Sequence, residues 1–312
     1  MLSVIIPAYN EEAMIDKTAS VISEILADAN ISCELLFVDD GSQDKTWEKI
    51  TAISLTNPVV GGIHFSRNFG KDAAIIAGLT ESHGDCCVVI DCDLQHPPKK
   101  IVEMYRLWEQ GYEIVEGQKS SSGTEGKIHT FAAKTFYSVI SAATGIDMAN
   151  ASDFKLLDRK AVNVLINMRE RNAFFRALSS WIGFKSTHVE FDVQDREAGE
   201  SKWSILALIK YALSNISSFS TAPMQMVTVL GVIMFVLTLI LGGIALTQKI
   251  CGQPMEGFTT IILIQLFSGS FVMISIGIIG YYIAKIYEEI KCRPRYIIAN
   301  TCGDKICEKP VK

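Results

Sequence analysis

Two long uncharged runs, Pro223–Gln248 and Gly257–Ala284, constrain this chain more than any other feature. Each exceeds the ~20 residues needed to cross a bilayer core ~30 Å thick. A soluble core seldom supplies two consecutive runs of this kind, so they read as two transmembrane helices rather than buried core helices. Lys249–Glu256 separates them and carries one Lys and one Glu. The outer flanks carry Lys202 and Lys210 before the first run, then Lys285, Lys291, Arg293 and Arg295 after the second. Cationic flanks stay cytoplasmic, so both termini are expected on the cytoplasmic side of a multi-pass protein of the plasma or inner membrane. Met1–Pro7 reads as a strand without a cationic leader, which leaves the preceding domain in the cytosol.

That preceding part alternates strand-like and helix-like segments. Ser3–Pro7, Cys33–Val38, Val59–Phe65, Cys86–Ile90 and Glu113–Glu116 are apolar, β-branched runs. Between them, Glu11–Ala27, Lys45–Leu55 and Lys71–Ser82 have helical spacing, with Asn10 a predicted N-cap and Pro97-Pro98 opening a further helix. Gln118–Gly126 is a Ser/Gly-rich loop, followed by a helix over Ile128–Ala143. Ser152–Leu157 is a strand, Val162–Met168 and Phe174–Gly183 are helices, and Ser186–Val193 is a closing strand. The rhythm predicts an α/β domain over residues 1–200, with a mostly parallel sheet flanked by helices. In Trp203–Phe219 one face carries Ile205, Leu208, Ile209, Ala212, Leu213 and Ile216, and the other Ser204, Lys210, Ser214 and Asn215. Residues 201–221 therefore read as an amphipathic helix on the cytoplasmic leaflet, ahead of the spans at 222–286 and a cytoplasmic tail at 287–312.

The net charge of −5 comes with no basic stripe, which argues against a nucleic-acid partner. Eight cysteines fit a reducing compartment. Cys86 and Cys87 lie in an apolar strand, and Cys292, Cys302 and Cys307 match no strong zinc spacing.

Polar clusters fall after four successive strands: Ala8–Glu12, Asp39–Ser42, Ser66–Lys71 and Asp91–His96. Ligands bind at the carboxyl ends of strands in such sheets, so one shared site is the economical reading. There is no Rossmann glycine fingerprint and no P-loop lysine motif. Asp91 and Asp93 supply hard oxygen ligands suited to Mg²⁺ or Mn²⁺, and Gln95 and His96 follow closely enough to complete the shell or touch phosphate. A bound divalent cation neutralises the charge on a diphosphate leaving group. The plainer reading of Asp91 and Asp93 is a pair of strand-end turn formers.

Ile5–Glu12, Val38–Ser42, Arg67–Lys71 and Asp91–Pro97 together resemble glycosyltransferase family 2, most closely its polyprenyl-phosphate glycosyltransferases. The resemblance extends through Ser152–Leu157, Arg196–Trp203 and the paired spans. It implies a GT-A type fold and an inverting, metal-dependent hexosyl transfer from a nucleotide sugar, UDP-glucose first, to a polyprenyl phosphate. It also implies residue roles. Pro7, Tyr9, Glu11 and Asp39, with Asp40 beside them, hold the nucleotide base and ribose, and Lys71 meets the nucleotide end. Asp91, Asp93 and Gln95 hold Mg²⁺ or Mn²⁺. Asp153 lies near the transferred sugar and acceptor, and Arg196 and Lys202 face phosphates beside the membrane. Close relatives often carry arginines after the strand Glu113–Glu116, where this chain has Lys119 as the replacement phosphate contact. A different membrane lipid acceptor (a diacylglycerol or ceramide) and a non-catalytic membrane scaffold are the competing readings, and a homo-oligomer is compatible with any of them.

Overall fold

A computed structural model of the chain describes residues 1–119, 152–168, 175–192, 222–251 and 257–303. It divides into two units, Met1–Trp203 with Arg293–Lys312, and Ser204–Cys292. The expected helices over Ile128–Ala143 and Trp203–Phe219 lie outside the described residues, as do Arg196 and Lys202.

In the first unit, one sheet has the order β7-β5-β6-β4-β1-β2-β3-β8. Its central strands are β1 (Leu2–Ala8), β2 (Cys33–Asp39), β3 (Val60–Phe65) and β4 (Cys86–Val89). These four pair in parallel. Beyond β4 come β6 (Lys155–Asp158), β5 (Ile114–Lys119) and β7 (Ser186–Phe191). The sheet is mixed: β6 runs antiparallel to both β4 and β5, while β5 and β7 are parallel. Every residue of β1 is buried, as expected of a strand covered on both faces. One face carries Leu2, Val4 and Ile6 into a core shared with α1 (Ile15–Asp28) and α4 (Lys99–Glu109). On the other, α3 (Lys71–Glu81) packs so close that a Cβ on Gly78 would lie 2.3 Å from Ile5. The remaining helices are α2 (Thr46–Thr56), α5 (Arg159–Asn167) and α6 (Phe175–Trp181). Asp158 caps α5 by accepting from Lys160 N.

Two details depart from the expected pattern. Asn10 is not an N-cap: α1 begins at Ile15. Asn10 instead adopts φ 55°, and its Oδ1 accepts from Gln43 N at 2.9 Å. Its own N–H donates to Ser42 Oγ at 2.9 Å. An Asn tolerates the left-handed region, and here it stitches the loop after β1 to the loop after β2. The second detail is β8 (Ile298–Cys302), which pairs antiparallel with β3 at the sheet edge. Tyr296 stacks on Phe65 with centroids 5.1 Å apart, and Ser66 N donates to Ile297 O at 3.0 Å. Arg295 donates to Met168 O. The segment expected to be a tail thus covers an otherwise open strand edge.

Among the described residues, the second unit holds α7 (Ala222–Ile250) and α8 (Phe258–Ile290). Val227–Ile244 has a mean hydropathy of 2.6, Ile264–Ile290 one of 1.8, and neither window is buried within the structure. Hydroxyls inside these helices donate back to carbonyls one turn earlier, Thr238 to Met234 O at 2.8 Å and Ser270 to Leu266 O at 2.8 Å. Polar groups satisfied inside their own helix are what a hydrocarbon environment requires. Near the end of α8, the Lys291 ammonium lies 4.2 Å from the Tyr287 ring centroid and that of Lys285 5.5 Å from Tyr281. Such an aromatic and cationic girdle suits a membrane boundary.

Candidate active site

The carboxyl ends of β1, β2, β3 and β4 lie on one side of the sheet because the strands are parallel. Asp153 reaches that side from the opposite chain direction. Val89 faces Lys155 in the antiparallel β4–β6 register, so two residues further along Asp91 comes opposite Asp153. The strand ends enclose a cavity of about 300 Å³. Pro7, Tyr9, Glu11, Asp40, Lys71, Asp91 and Asp93 line it, together with Asn68 and Gly70. Seven of the residues singled out from the sequence are thereby brought together.

Lys71 is the hinge of the cluster. Its ammonium lies 2.6 Å from Asp91 Oδ1, 2.9 Å from Asp91 Oδ2 and 3.0 Å from Asp153 Oδ2. Burial works against the charged ammonium, but Asp91 and Asp153 outweigh it and hold Lys71 above the ordinary lysine range. Asp40 supports this placement by accepting from Phe69 N at 2.6 Å and Gly70 N at 2.9 Å, the two residues before Lys71. Burial raises the Asp40 carboxyl above its usual range in spite of those amides. Gly41, at φ 69°, lets the loop after β2 touch the loop before α3, since a Cβ there would lie 2.4 Å from the Arg67 carbonyl carbon.

Asp153 is gripped from a second side by Arg176, a residue the sequence reading did not single out. Arg176 Nε donates to Asp153 Oδ1 at 3.2 Å and Nη2 to Oδ2 at 3.0 Å. Burial would raise the Asp153 carboxyl, yet Lys71 and Arg176 together hold it well below the usual carboxylate range. The helix carrying Arg176 is fixed by Lys155, whose side chain is 1% exposed. Lys155 Nζ sits 2.9 Å from Glu116 Oε1 and donates to Ser179 Oγ at 2.9 Å and Arg176 O at 3.3 Å. Asp72, at the start of α3, accepts from Phe175 N at 3.0 Å, and burial pushes its carboxyl up to about 6. No sequence motif marks Arg176 or Asp72, because only the packing of α3 against α6 makes them neighbours.

Asp39 stands apart. It is fully buried, with Oδ1 accepting from Ser42 N at 3.0 Å and Oδ2 lying 2.7 Å from His64 Nδ1. It shapes the turn after β2 and does not line the cavity. Lys119 closes β5 opposite Phe191, and it too lies off the cavity lining. Cys92 is buried, with its thiol 3.8 Å from Thr18 Oγ1, and it belongs to the cavity lining between the two aspartates.

The turn after β4 has the chemistry of a cation site. Asp93 Oδ1 accepts from Gln95 N at 3.1 Å across Leu94, which adopts φ 55°. A non-glycine residue there costs about 1 kcal/mol, strain that persists because the surrounding core holds Leu94 in place. His96 stacks on Phe154, and its buried Nδ1 has no hydrogen-bond partner among the described residues, 3.9 Å from Asp91 Oδ2. Burial keeps this imidazole toward its neutral form. Among the described residues no three His, Cys, Asp or Glu side chains form a ready metal cage. Asp91, which already holds the Lys71 ammonium at 2.6 Å, and Asp93, which lines the same cavity, supply hard oxygen donors that fit an ion such as Mg²⁺ or Mn²⁺, which leaves its other positions to phosphate oxygens and water.

Residues 3–165, just over half of the chain, match glycosyl transferase family 2. An uncharacterized glycosyltransferase of Synechocystis sp. is 37% identical over 304 residues, covering 97% of this chain and 96% of its own. The bactoprenol glucosyl transferase of Shigella phage SfV is 34% identical over 96% of this chain and 98% of its own. A crystal structure of glucosyl-3-phosphoglycerate synthase from Mycobacterium tuberculosis, in complex with Mn²⁺, uridine diphosphate and phosphoglyceric acid, is more distant. It is 19% identical with a TM-score of 0.48, covering 70% of this chain and 76% of that one, too loose a likeness to bear on the site. The chain belongs to glycosyltransferase family 2, in the group that contains the bactoprenol glucosyl transferases.

Proposed function

We propose that this membrane-associated glycosyltransferase moves one sugar, glucose from UDP-glucose first, onto a polyprenyl phosphate with inversion. The convergence of Lys71, Asp91 and Asp93 on one cavity at the strand ends, with Asp153 paired to Lys71 beside them, carries the reading. Pro7, Tyr9 and Glu11 line that cavity, which suits them to the base and ribose of the donor. Asp39 acts behind it, through the turn it holds. Asp91 and Asp93, with the Gln95 side chain, would hold Mg²⁺ or Mn²⁺, whose bound charge would stabilise the departing diphosphate.

The reaction needs an acceptor oxygen to form a bond to the anomeric carbon while the bond to the diphosphate breaks and the electron pair leaves with the nucleotide. A phosphate acceptor is already anionic, so a strong base is unnecessary. Asp153 matches that demand: held ionised between Lys71 and Arg176, it is a weak base and a good orienting acceptor for a sugar hydroxyl. Arg196 offers a bidentate grip on the acceptor phosphate, and Lys202 and Lys119 offer point charges. The cationic flanks favour a cytoplasmic catalytic domain over residues 1–200, an interfacial helix at 201–221, two spans within 222–286 and cytoplasmic termini.

The test is to incubate the full-length protein in membranes with a panel of labelled UDP-sugars and GDP-mannose, then to extract the lipids. Label in an acid-labile polyprenyl-phosphate sugar, strongest with UDP-glucose, supports the reading. Label only in a diacylglycerol or ceramide glycoside, or only as free sugar, overturns it.

A further inference from the structure

The Lys71 ammonium touches both oxygens of Asp91, at 2.6 and 2.9 Å, as well as Asp153 at 3.0 Å. Asp91 is also, with Asp93, one of the two carboxylates assigned above to the candidate cation site. An ammonium and a divalent ion cannot share one carboxylate's lone pairs at contact distance without strong like-charge repulsion. The Lys71 side chain is 43% exposed and that of Asp91 27%, so this ion pair is solvated enough to be broken. Asn68 and Gly70 line the cavity beside Lys71, and a long flexible stem lets its head move between partners there.

We propose that Lys71 competes with the divalent cation for Asp91, so that cation and nucleoside diphosphate bind cooperatively. The diphosphate gives the ammonium a new anionic partner, which releases Asp91 to the cation. Asp153 keeps the ammonium anchored within the site during the exchange. By reciprocity, the factor by which the nucleotide tightens the cation equals the factor by which the cation tightens the nucleotide. This inference rests on the metal reading of Asp91 and Asp93.

The experiment titrates the purified, detergent-solubilised full chain with Mn²⁺, reading free ion by electron paramagnetic resonance, with and without UDP. In the wild type, UDP tightens Mn²⁺ by about tenfold or more, within the usual range of such couplings. In Lys71→Met, Mn²⁺ alone binds about tenfold tighter than in the wild type, and the gain from UDP is smaller than in the wild type, reduced to what direct phosphate ligation of the ion supplies. Lys71→Gln, which keeps a polar head without the charge, gives the same pattern and serves if the Met variant does not fold. Mn²⁺ binding that is unchanged or weaker in both variants overturns the proposal while leaving the metal reading intact. Asp93→Asn separates the two: if it binds Mn²⁺ as the wild type does, or if the wild type binds none, the metal reading itself fails.

Discussion

Replacing Arg176 by Met removes one of the two cations that hold Asp153. Its guanidinium makes two hydrogen bonds to that carboxylate, at 3.2 and 3.0 Å, with the side chains 25% and 14% exposed. A charge-assisted contact of this kind contributes about 1.5–3 kcal/mol, and the lower half of that range applies because Arg176 is partly solvated. At about 1.4 kcal/mol per pH unit, the loss raises the Asp153 ionisation by roughly one to two pH units. In the wild type the acid limb of kcat/KM due to Asp153 lies below the usual carboxylate range. In Arg176→Met it moves up but stays no higher than the usual carboxylate range, because Lys71 still holds Asp153. At pH 7.5 Asp153 remains ionised but is held from one side only, so kcat falls about 10–100-fold through lost orientation. The donor KM changes little, because the Lys71–Asp91 contact remains. Arg176→Lys restores the charge without the fork and falls between the two. The assay is the pH profile of transfer to lipid with saturating metal. A variant with wild-type kcat across the assayable pH range would refute the assignment of Arg176.

Other changes test the supports of the site. In Asp72→Asn the acceptor for Phe175 N is kept while the buried charge is lost. The wild-type carboxyl, up at about 6 in the fold, binds its proton more tightly folded than unfolded, so wild-type stability declines as pH rises from about 4 to about 6. The variant loses that slope and is about 1–2 kcal/mol more stable at pH 7.5, measured as the difference in thermal midpoint across pH. Asp40→Ala leaves the amides of Phe69 and Gly70 unpaired, costs about 2 kcal/mol and weakens UDP binding by calorimetry as Lys71 loses its placement. Gly41→Ala places a Cβ 2.4 Å from the Arg67 backbone at a positive φ, so it lowers the thermal midpoint and UDP affinity together.

The parallel part of the sheet was legible because its strands are short apolar runs bounded by polar ends. Asp91 and Asp93 were legible for the same reason, standing at the end of β4 where such sheets bind ligands. Asp153 was located only through resemblance. Its arrival opposite Asp91 depends on β6 running antiparallel, a register that no local pattern encodes. Arg176 and Asp72 depend on one helix packing against another, which single-sequence periodicity cannot report. Asp39 shows the converse: a strand-end carboxylate facing the expected site by position, yet consumed by His64 and Ser42 within its own turn. Asn10 looked like a cap because Asn favours both caps and left-handed turns, and the Gln43 N–H decided between them. The edge strand β8 was hidden because a five-residue strand after a helix carries too few alternations to stand out.

The most direct test of the central claim compares two acceptors. The purified full chain is given labelled UDP-glucose and Mg²⁺ with either a polyprenyl phosphate or the same polyprenol without its phosphate, in wild type and in Asp93→Asn. The account predicts one labelled glucose per polyprenyl phosphate, no product on the free alcohol, and at least 100-fold less product in Asp93→Asn. Equal labelling of the two acceptors, or an Asp93→Asn variant as active as the wild type, would contradict it.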